Sequence, residues 1–225
     1  MGSKNKLKRF KENQTFTNVI QPDREKIIEE NLFLKGKWNL KFFKNKAPII
    51  LELGCGKGEY SIYLSKKYPK KNFIGIDIKG ARLWRGAKTA VENKINNVAF
   101  LRTQIELIDH CFDTNEVDEI WITFPDPQIK HKRSKHRLTN PKMLDIYKKI
   151  LKENGIVHLK TDNEFFFGYT IGIVSQIGEV IYAHNNIYSN SNAPKEAIAI
   201  QTFYEKIFIN QNKPIAYMKF RLSNE

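Results

Sequence analysis

Pro48-Ile49-Ile50-Leu51-Glu52-Leu53-Gly54-Cys55-Gly56-Lys57-Gly58 is the stretch that decides the fold. Pro48 to Leu53 is a continuous apolar run with a single acid, Glu52, near its end. Such a short run, closed by glycine, reads as a buried strand. Beyond the glycines, Tyr60, Leu64 and Tyr68 share one side of a helix. Glycine between strand and helix lets backbone approach a ligand closely. The spacing Gly54-x-Gly56-x-Gly58 is not the GxGxxG of a dinucleotide site, which argues against a nicotinamide oxidoreductase.

The alternation continues outward from there. Asn72 to Ile76 reads as a second strand that ends at Asp77. Lys79 to Lys94 reads as a helix, with Leu83, Ala87, Val91 and Ile95 on one face. Val98 to Leu101 and Glu119 to Thr123 are further strands, with a short helical stretch from Glu106 to Cys111 between them. Asn140 caps the next helix and Pro141 opens it, where its missing N–H costs nothing. Met143, Tyr147, Ile150 and Leu151 form its buried stripe and Gly155 ends it. Ile156 to Lys160 follows as a strand, and Thr161-Asp162-Asn163 caps a Phe-rich helix, with Asp162 the N-cap candidate and Asn163 beginning the helix. Val180 to His184 and Ile215 to Leu222 are late strands. Upstream, residues 23–35 form a short helix with Ile27, Ile28, Leu32 and Leu34 against the main body. Residues 1–20 carry Lys4, Lys6, Lys8, Arg9 and Lys11 with few apolar anchors, and read as a flexible basic arm ahead of one domain over 21–225.

Strands alternating with helices imply an α/β domain with a mostly parallel sheet covered on both faces. Ligands of such sheets sit beyond the carboxyl ends of the strands. Glu52, the glycine turn, Asp77, Gln104, Asp126 and Asp162 all fall at or just after predicted strand ends, so one edge is expected to gather them. Asp77, about 20 residues beyond the glycines, suits the two hydroxyls of a ribose. The alternative is an ordinary acid at a helix start, but loop, spacing and strand context together favour the ribose.

The chain has 38 Lys and Arg against 24 Asp and Glu, a net charge of +14 over 225 residues. That excess points to a polyanionic partner. No apolar run reaches the length of a membrane span and no signal peptide is evident, which favours nucleic acid over a membrane. Cys55 and Cys111 have no metal or disulfide spacing, so no metal is expected and a cytoplasmic setting is.

The chemistry concentrates in Phe124-Pro125-Asp126-Pro127-Gln128-Ile129-Lys130-His131-Lys132-Arg133-Ser134-Lys135-His136-Arg137. Two prolines hold Asp126 on a stiff loop at a strand end. Lys130, Lys132, Arg133, Lys135 and Arg137 suit phosphates, and His131 and His136 sit among too many cations to favour a metal. Arg82, Arg85 and Lys88 either extend this basic surface or are a solvated helix face.

Leu51-Glu52-Leu53-Gly54-Cys55-Gly56-Lys57-Gly58 resembles the first motif of the class I S-adenosylmethionine-dependent methyltransferases. Phe124-Pro125-Asp126-Pro127-x-x-Lys130-x-x-Arg133-x-x-x-Arg137, Lys160-Thr161-Asp162 and Thr202-x-Tyr204-Glu205 are together similar to the signature of the bacterial tRNA (guanine-N7-)-methyltransferases. The resemblance spans essentially the whole chain. It implies a Rossmann-like domain with a seven-stranded sheet, S-adenosylmethionine as cofactor and tRNA as partner. It also implies methylation of the variable-loop guanine 46, by a monomer or homodimer with no obligatory protein subunit. Residue by residue, it implies that Glu52, Gly54, Gly56, Asp77, Gln104 and Asp126 bind the cofactor and that Asp126 is catalytic. Lys130, Asp162, Thr202, Phe203, Tyr204 and Glu205 match substrate-binding positions. Gln128 departs from a Trp, Gln104 from a common Asp, and Asp77 from a frequent Glu. The rival readings are a methyltransferase of another RNA, and a non-catalytic RNA-binding protein on the same fold.

Guanine N7 carries a free lone pair, so attack on a sulfonium methyl needs no general base. It needs in-line placement, which can lower the barrier by roughly 7–11 kcal/mol. The product is cationic, and a fixed carboxylate such as Asp126 stabilises the charge as it develops. Asp162 and Glu205 are the expected acceptors for the guanine N1–H and N2 amine.

Overall fold

The structure, a computed structural model, describes residues 3–223. The chain divides into two compact units, one ending at Asp118 and one beginning at Glu119. Among the described residues, eight strands form one sheet in the order β1-β4-β3-β2-β5-β6-β8-β7. The sheet is mostly parallel and Rossmann-like, with one strand more than the seven expected.

The first unit contains helices α1 (Ser3–Asn13), α2 (Arg24–Glu30), α3 (Glu59–Lys67) and α4 (Gly80–Glu92). Its strands are β1 (Val19–Ile20), β2 (Ile49–Leu53), β3 (Asn72–Ile76) and β4 (Val98–Leu101), and β5 (Val117–Thr123) begins here. The additional strand is β1, two residues paired in parallel with Phe100 and Leu101. Strands β2, β3 and β4 are parallel, with Leu53 beside Ile76 and Ile76 beside Leu101. Every residue of these three strands is buried, as expected for a parallel sheet.

Two expectations need correction here. The inner face of α4 is Leu83, Gly86, Ala87 and Ala90, while Val91 is exposed. A spacing of four drifts about 40° per step on a helix of 3.6 residues per turn, so the fourfold series rotates out of the core. The expected flexible arm over 1–20 is a docked helix from Ser3 onward; Met1, Gly2 and the side chain of Lys4 lie outside the described residues. Polar contacts hold this helix. Glu12 accepts from Trp84 Nε1 at 2.7 Å and Lys88 Nζ at 2.8 Å. Buried Asn13 donates to the Gly80 carbonyl at 2.9 Å, and the Arg9 guanidinium lies 4.6 Å from the Trp84 ring centre. The hydrogen bond from Lys88, then that from Trp84, hold the Glu12 carboxyl below its ordinary range.

The second unit contains α5 (Pro141–Ile150), β6 (Leu151–Thr161), α6 (Glu164–Ile177), β7 (Gly178–His184), α7 (Lys195–Ile198), α8 (Phe203–Asn210) and β8 (Ala216–Leu222). Strand β8 runs antiparallel to both β6 and β7. Asn140 caps α5 by accepting from Met143 N at 3.1 Å, and Met143, Leu144, Tyr147 and Ile150 are buried. Gly155 does not end this helix; the helix stops at Ile150 and Gly155 lies within β6. A Cβ there would fall 2.8 Å from the Leu151 side chain, so glycine is required by close packing. Asn163, and not Asp162, caps α6, accepting from Phe166 N at 2.8 Å.

Candidate functional site

In the first unit the ends of β2 and β3 carry a cradle for a small ligand. Gly54, Gly56 and Gly58 are all left-handed, at φ +75°, +56° and +70°. L-residues with side chains rarely adopt that region. The amides of Gly54 and Cys55 both donate to the Ile76 carbonyl, which ties the turn to the end of β3. A Cβ at Gly54 would meet nothing within 4 Å, and one at Gly56 only the Gly54 carbonyl oxygen at 4.0 Å. Open space therefore lies along the backbone of these two glycines. Gly58 serves a different purpose, since a Cβ there would fall 2.5 Å from the Phe100 ring. It permits close packing of helix and strand.

Asp77, mostly buried, accepts from Gly56 N at 2.9 Å and Lys79 N at 2.7 Å, one bond on each oxygen. A carboxylate has about four acceptor sites, so capacity for a vicinal diol remains. These residues fit an adenosine-type ligand. Glu52 is buried and accepts from Ser61 N at 2.9 Å and Ser61 Oγ at 2.5 Å, in the first turn of α3. Nothing in the local sequence pattern singles out Ser61 as the partner of Glu52. Gln104 is exposed at the end of β4 and accepts from Arg24 Nε at 3.0 Å. The Cys55 thiol is pushed well above its ordinary range by burial and that of Cys111 up to about 12, so neither is a thiolate nucleophile at neutral pH.

In the second unit, Asp126 is exposed on the loop after β5 and accepts from Gln128 N at 3.1 Å. Phe124 and Gln128, on either side of the Pro125-Asp126-Pro127 run, are left-handed at φ +48° and +46°. Each costs on the order of 1–3 kcal/mol, a form of strain that clusters at active sites. Gln128, where the resemblance expects Trp, accepts from Arg133 Nε at 2.6 Å and braces the loop against the basic segment 131–136. Lys130, His131, Lys132, Arg133, Lys135 and His136 are exposed. Arg137 is not part of that exposed set. It is 5% exposed, and its guanidinium donates to the carbonyls of Gln128 and Ile129. Residue type makes it look like its neighbours; the aromatic rings of α6 that cover it are what sets it apart.

Asp162 is half-buried at the end of β6, and among the described residues its carboxylate has no hydrogen-bond partner. Thr202 caps α8, with Phe203 and Tyr204 half exposed on its first turn. Glu205, expected to accept from a guanine edge, is enclosed. Its Oε1 lies 2.5 Å from Lys160 Nζ and accepts from Tyr188 OH at 2.6 Å, and its Oε2 accepts from Thr202 N at 3.3 Å. Both oxygens serve the protein. Thr202-x-x-Glu205 is a capping box, and its spacing is the sequence signal for that structural role. Burial pulls the Lys160 ammonium below its ordinary range, against the opposing pull of Glu205.

The sequence profile of the family described as "Putative methyltransferase" matches residues 46–218. A tRNA (guanine-N(7)-)-methyltransferase of Christiangramia forsetii is 63% identical over 99% of this chain and 100% of its own length. The protein of the same name from Bacteroides fragilis is 43% identical, over 99% of this chain and 87% of its own. The chain belongs to the tRNA (guanine-N(7)-)-methyltransferase family. Among solved structures, the 16S rRNA methyltransferase KamB aligns with a TM-score of 0.62 at 10% identity, over 82% of this chain and 92% of its own. A SAM-dependent methyltransferase from Aquifex aeolicus aligns with a TM-score of 0.53 at 17% identity, over 90% of this chain and 100% of its own. Both carry the class I methyltransferase fold seen here. Among the described residues no helix is long and apolar enough to cross a membrane, and no group of three or more His, Cys, Asp or Glu gathers as a metal set.

Proposed function

We propose that this protein transfers a methyl group from S-adenosylmethionine to N7 of guanine 46 in the variable loop of tRNA. The observation that carries the reading is the 63% identity along essentially the whole length of a protein named for N7 methylation of tRNA guanine. S-adenosylmethionine, when bound, supplies an electrophilic methyl on a sulfonium. The protein's own residues do the rest. The open backbone at Gly54 and Gly56 receives the donor, and Asp77 accepts from its ribose hydroxyls. Glu52 holds the first turn of α3 behind that site, and Gln104 keeps a free amide donor for the adenine. Asp126 orients the guanine and stabilises the positive charge that develops on it. Asp162 accepts from the guanine N1–H and N2 amine, and Thr202, Phe203 and Tyr204 line the substrate side. Lys130, Lys132, Arg133 and Lys135 hold phosphates. The enzyme works in the cytoplasm as a monomer or homodimer with no partner subunit.

The test is methyl transfer onto unmodified tRNA, followed by aniline cleavage at 7-methylguanosine. Cleavage at position 46 is expected. Methylation of ribosomal RNA alone, or of a different base, would overturn the reading. Phosphate contacts also predict steep salt dependence. The logarithm of tRNA affinity should fall linearly with that of salt concentration, and Lys132→Ala should reduce the slope by about one. Filter binding across a salt series measures it, and an unchanged slope removes Lys132 from the grip.

A further inference from the structure

Arg137 is the cation of the 130–137 segment that turns inward. Its guanidinium does two things at once. It donates from Nε to the Gln128 carbonyl and from Nη2 to the Ile129 carbonyl, both at 3.2 Å. It also lies over two rings of α6, 4.4 Å from the Tyr169 centroid and 4.9 Å from that of Phe165. The two carbonyls belong to the turn whose carboxylate is Asp126, itself bonded to Gln128 N. The two rings belong to the helix that starts directly after Asp162 and its neighbouring cap Asn163. One planar group thus fixes the turn that bears Asp126 and the helix start that follows Asp162. A guanidinium suits this task because it offers several donors in one plane and flat faces for stacking, which an ammonium does not. The turn is also strained at Phe124 and Gln128, so it needs such a brace to persist.

We infer that Arg137 is a positioning residue for methyl transfer, setting Asp126 relative to Asp162, and not a tRNA phosphate contact. The inference rests on Asp126 acting in the reaction proposed above. A displacement of about 1 Å at a reacting group can cost on the order of a hundredfold in rate. Removing a cation that grips a phosphate instead weakens tRNA affinity and lowers its salt slope.

The experiment compares Arg137→Lys, Tyr169→Leu and the wild type in single- and multiple-turnover methylation of unmodified tRNA, each also combined with Asp126→Ala. Arg137→Lys keeps the charge and loses the planar fork. It should lower kcat roughly ten- to a hundredfold, with KM for tRNA and the salt slope unchanged. Tyr169→Leu should show a smaller loss in the same parameter. In the Asp126→Ala background neither substitution should slow the reaction further. Wild-type kcat in Arg137→Lys overturns the inference, as does a loss confined to KM, with a slope lower by about one, in the charge-removing Arg137→Met. A loss that adds fully to that of Asp126→Ala overturns it too. Should Arg137→Lys fail to fold, wild-type kcat in Tyr169→Leu assigns Arg137 to stability alone. Absence of 7-methylguanosine with the wild-type protein is the separate failure of the functional reading, and the inference falls with it.

Discussion

Asp126→Ala should lose turnover by a factor on the order of 10²–10³, the range for removal of one preorganised electrostatic group, while S-adenosylmethionine affinity changes far less. The carboxylate is exposed, and its contact within the described residues is the amide of Gln128. Truncation therefore opens no core cavity, and Tm should move by a few degrees at most. Guanine N7 has no proton to surrender, so the loss would not reflect a missing base. It would reflect a ring that is less well oriented and a positive charge less well met. Asp126→Asn separates the two, because the amide keeps the shape and removes the charge. Single-turnover rates with saturating tRNA, beside calorimetric titration of the donor, make the measurement. Wild-type turnover in Asp126→Ala would remove the residue from the mechanism.

What the sequence makes legible is whatever local spacing fixes. Gly54, Gly56 and Gly58 at alternate positions after an apolar run specify a left-handed turn, and the structure has one. Asn140 before Pro141 specifies a helix start, and α5 begins there. Asp77 at a strand end follows from the alternation of elements. Each of these is decided within a few residues, where propensity and pattern agree.

The rest depends on partners distant in sequence. Nothing in the residue types Phe124 and Gln128 announces positive φ, so the strain beside Asp126 is invisible before the fold is known. Helix α1 docks through Glu12, Asn13 and Arg9, which a hydrophobic pattern counts as solvent-facing. Arg137 is indistinguishable from Lys135 or Arg133 until Phe165 and Tyr169 are known to cover it. Gln128 stands where a ring is expected, and its bond to Arg133 gives it a different task in the same loop. A motif match assigns a position, but the surrounding packing decides whether the side chain there meets solvent or the interior.

Glu205 makes that point in energetic terms, and it yields the second large effect. Lys160→Met should destabilise the protein by about 3–5 kcal/mol, the cost of stranding a buried charge by removing its partner. Both side chains of this pair are fully buried. The Lys160 ammonium also donates to the Ala197 carbonyl at 2.5 Å and lies 3.4 Å from that of Ile200. Without it the Glu205 carboxylate keeps, among the described residues, the Tyr188 hydroxyl and the Thr202 amide. The chain from Ala197 to Glu205 loses its tether at the same time, so the Thr202-Phe203-Tyr204 surface should become less fixed and KM for tRNA should rise. Replacing both partners, as Lys160→Met with Glu205→Leu, removes the stranded charge and should recover most of the stability. It should not recover all of it, since the Glu205 half of the α8 capping box, the bond from Thr202 N, is lost as well. Urea unfolding of the two single variants and the double variant measures the coupling. If the double variant is as unstable as the sum of the singles, Lys160 and Glu205 do not act as a pair, and Glu205 returns to candidacy as a group that meets the guanine.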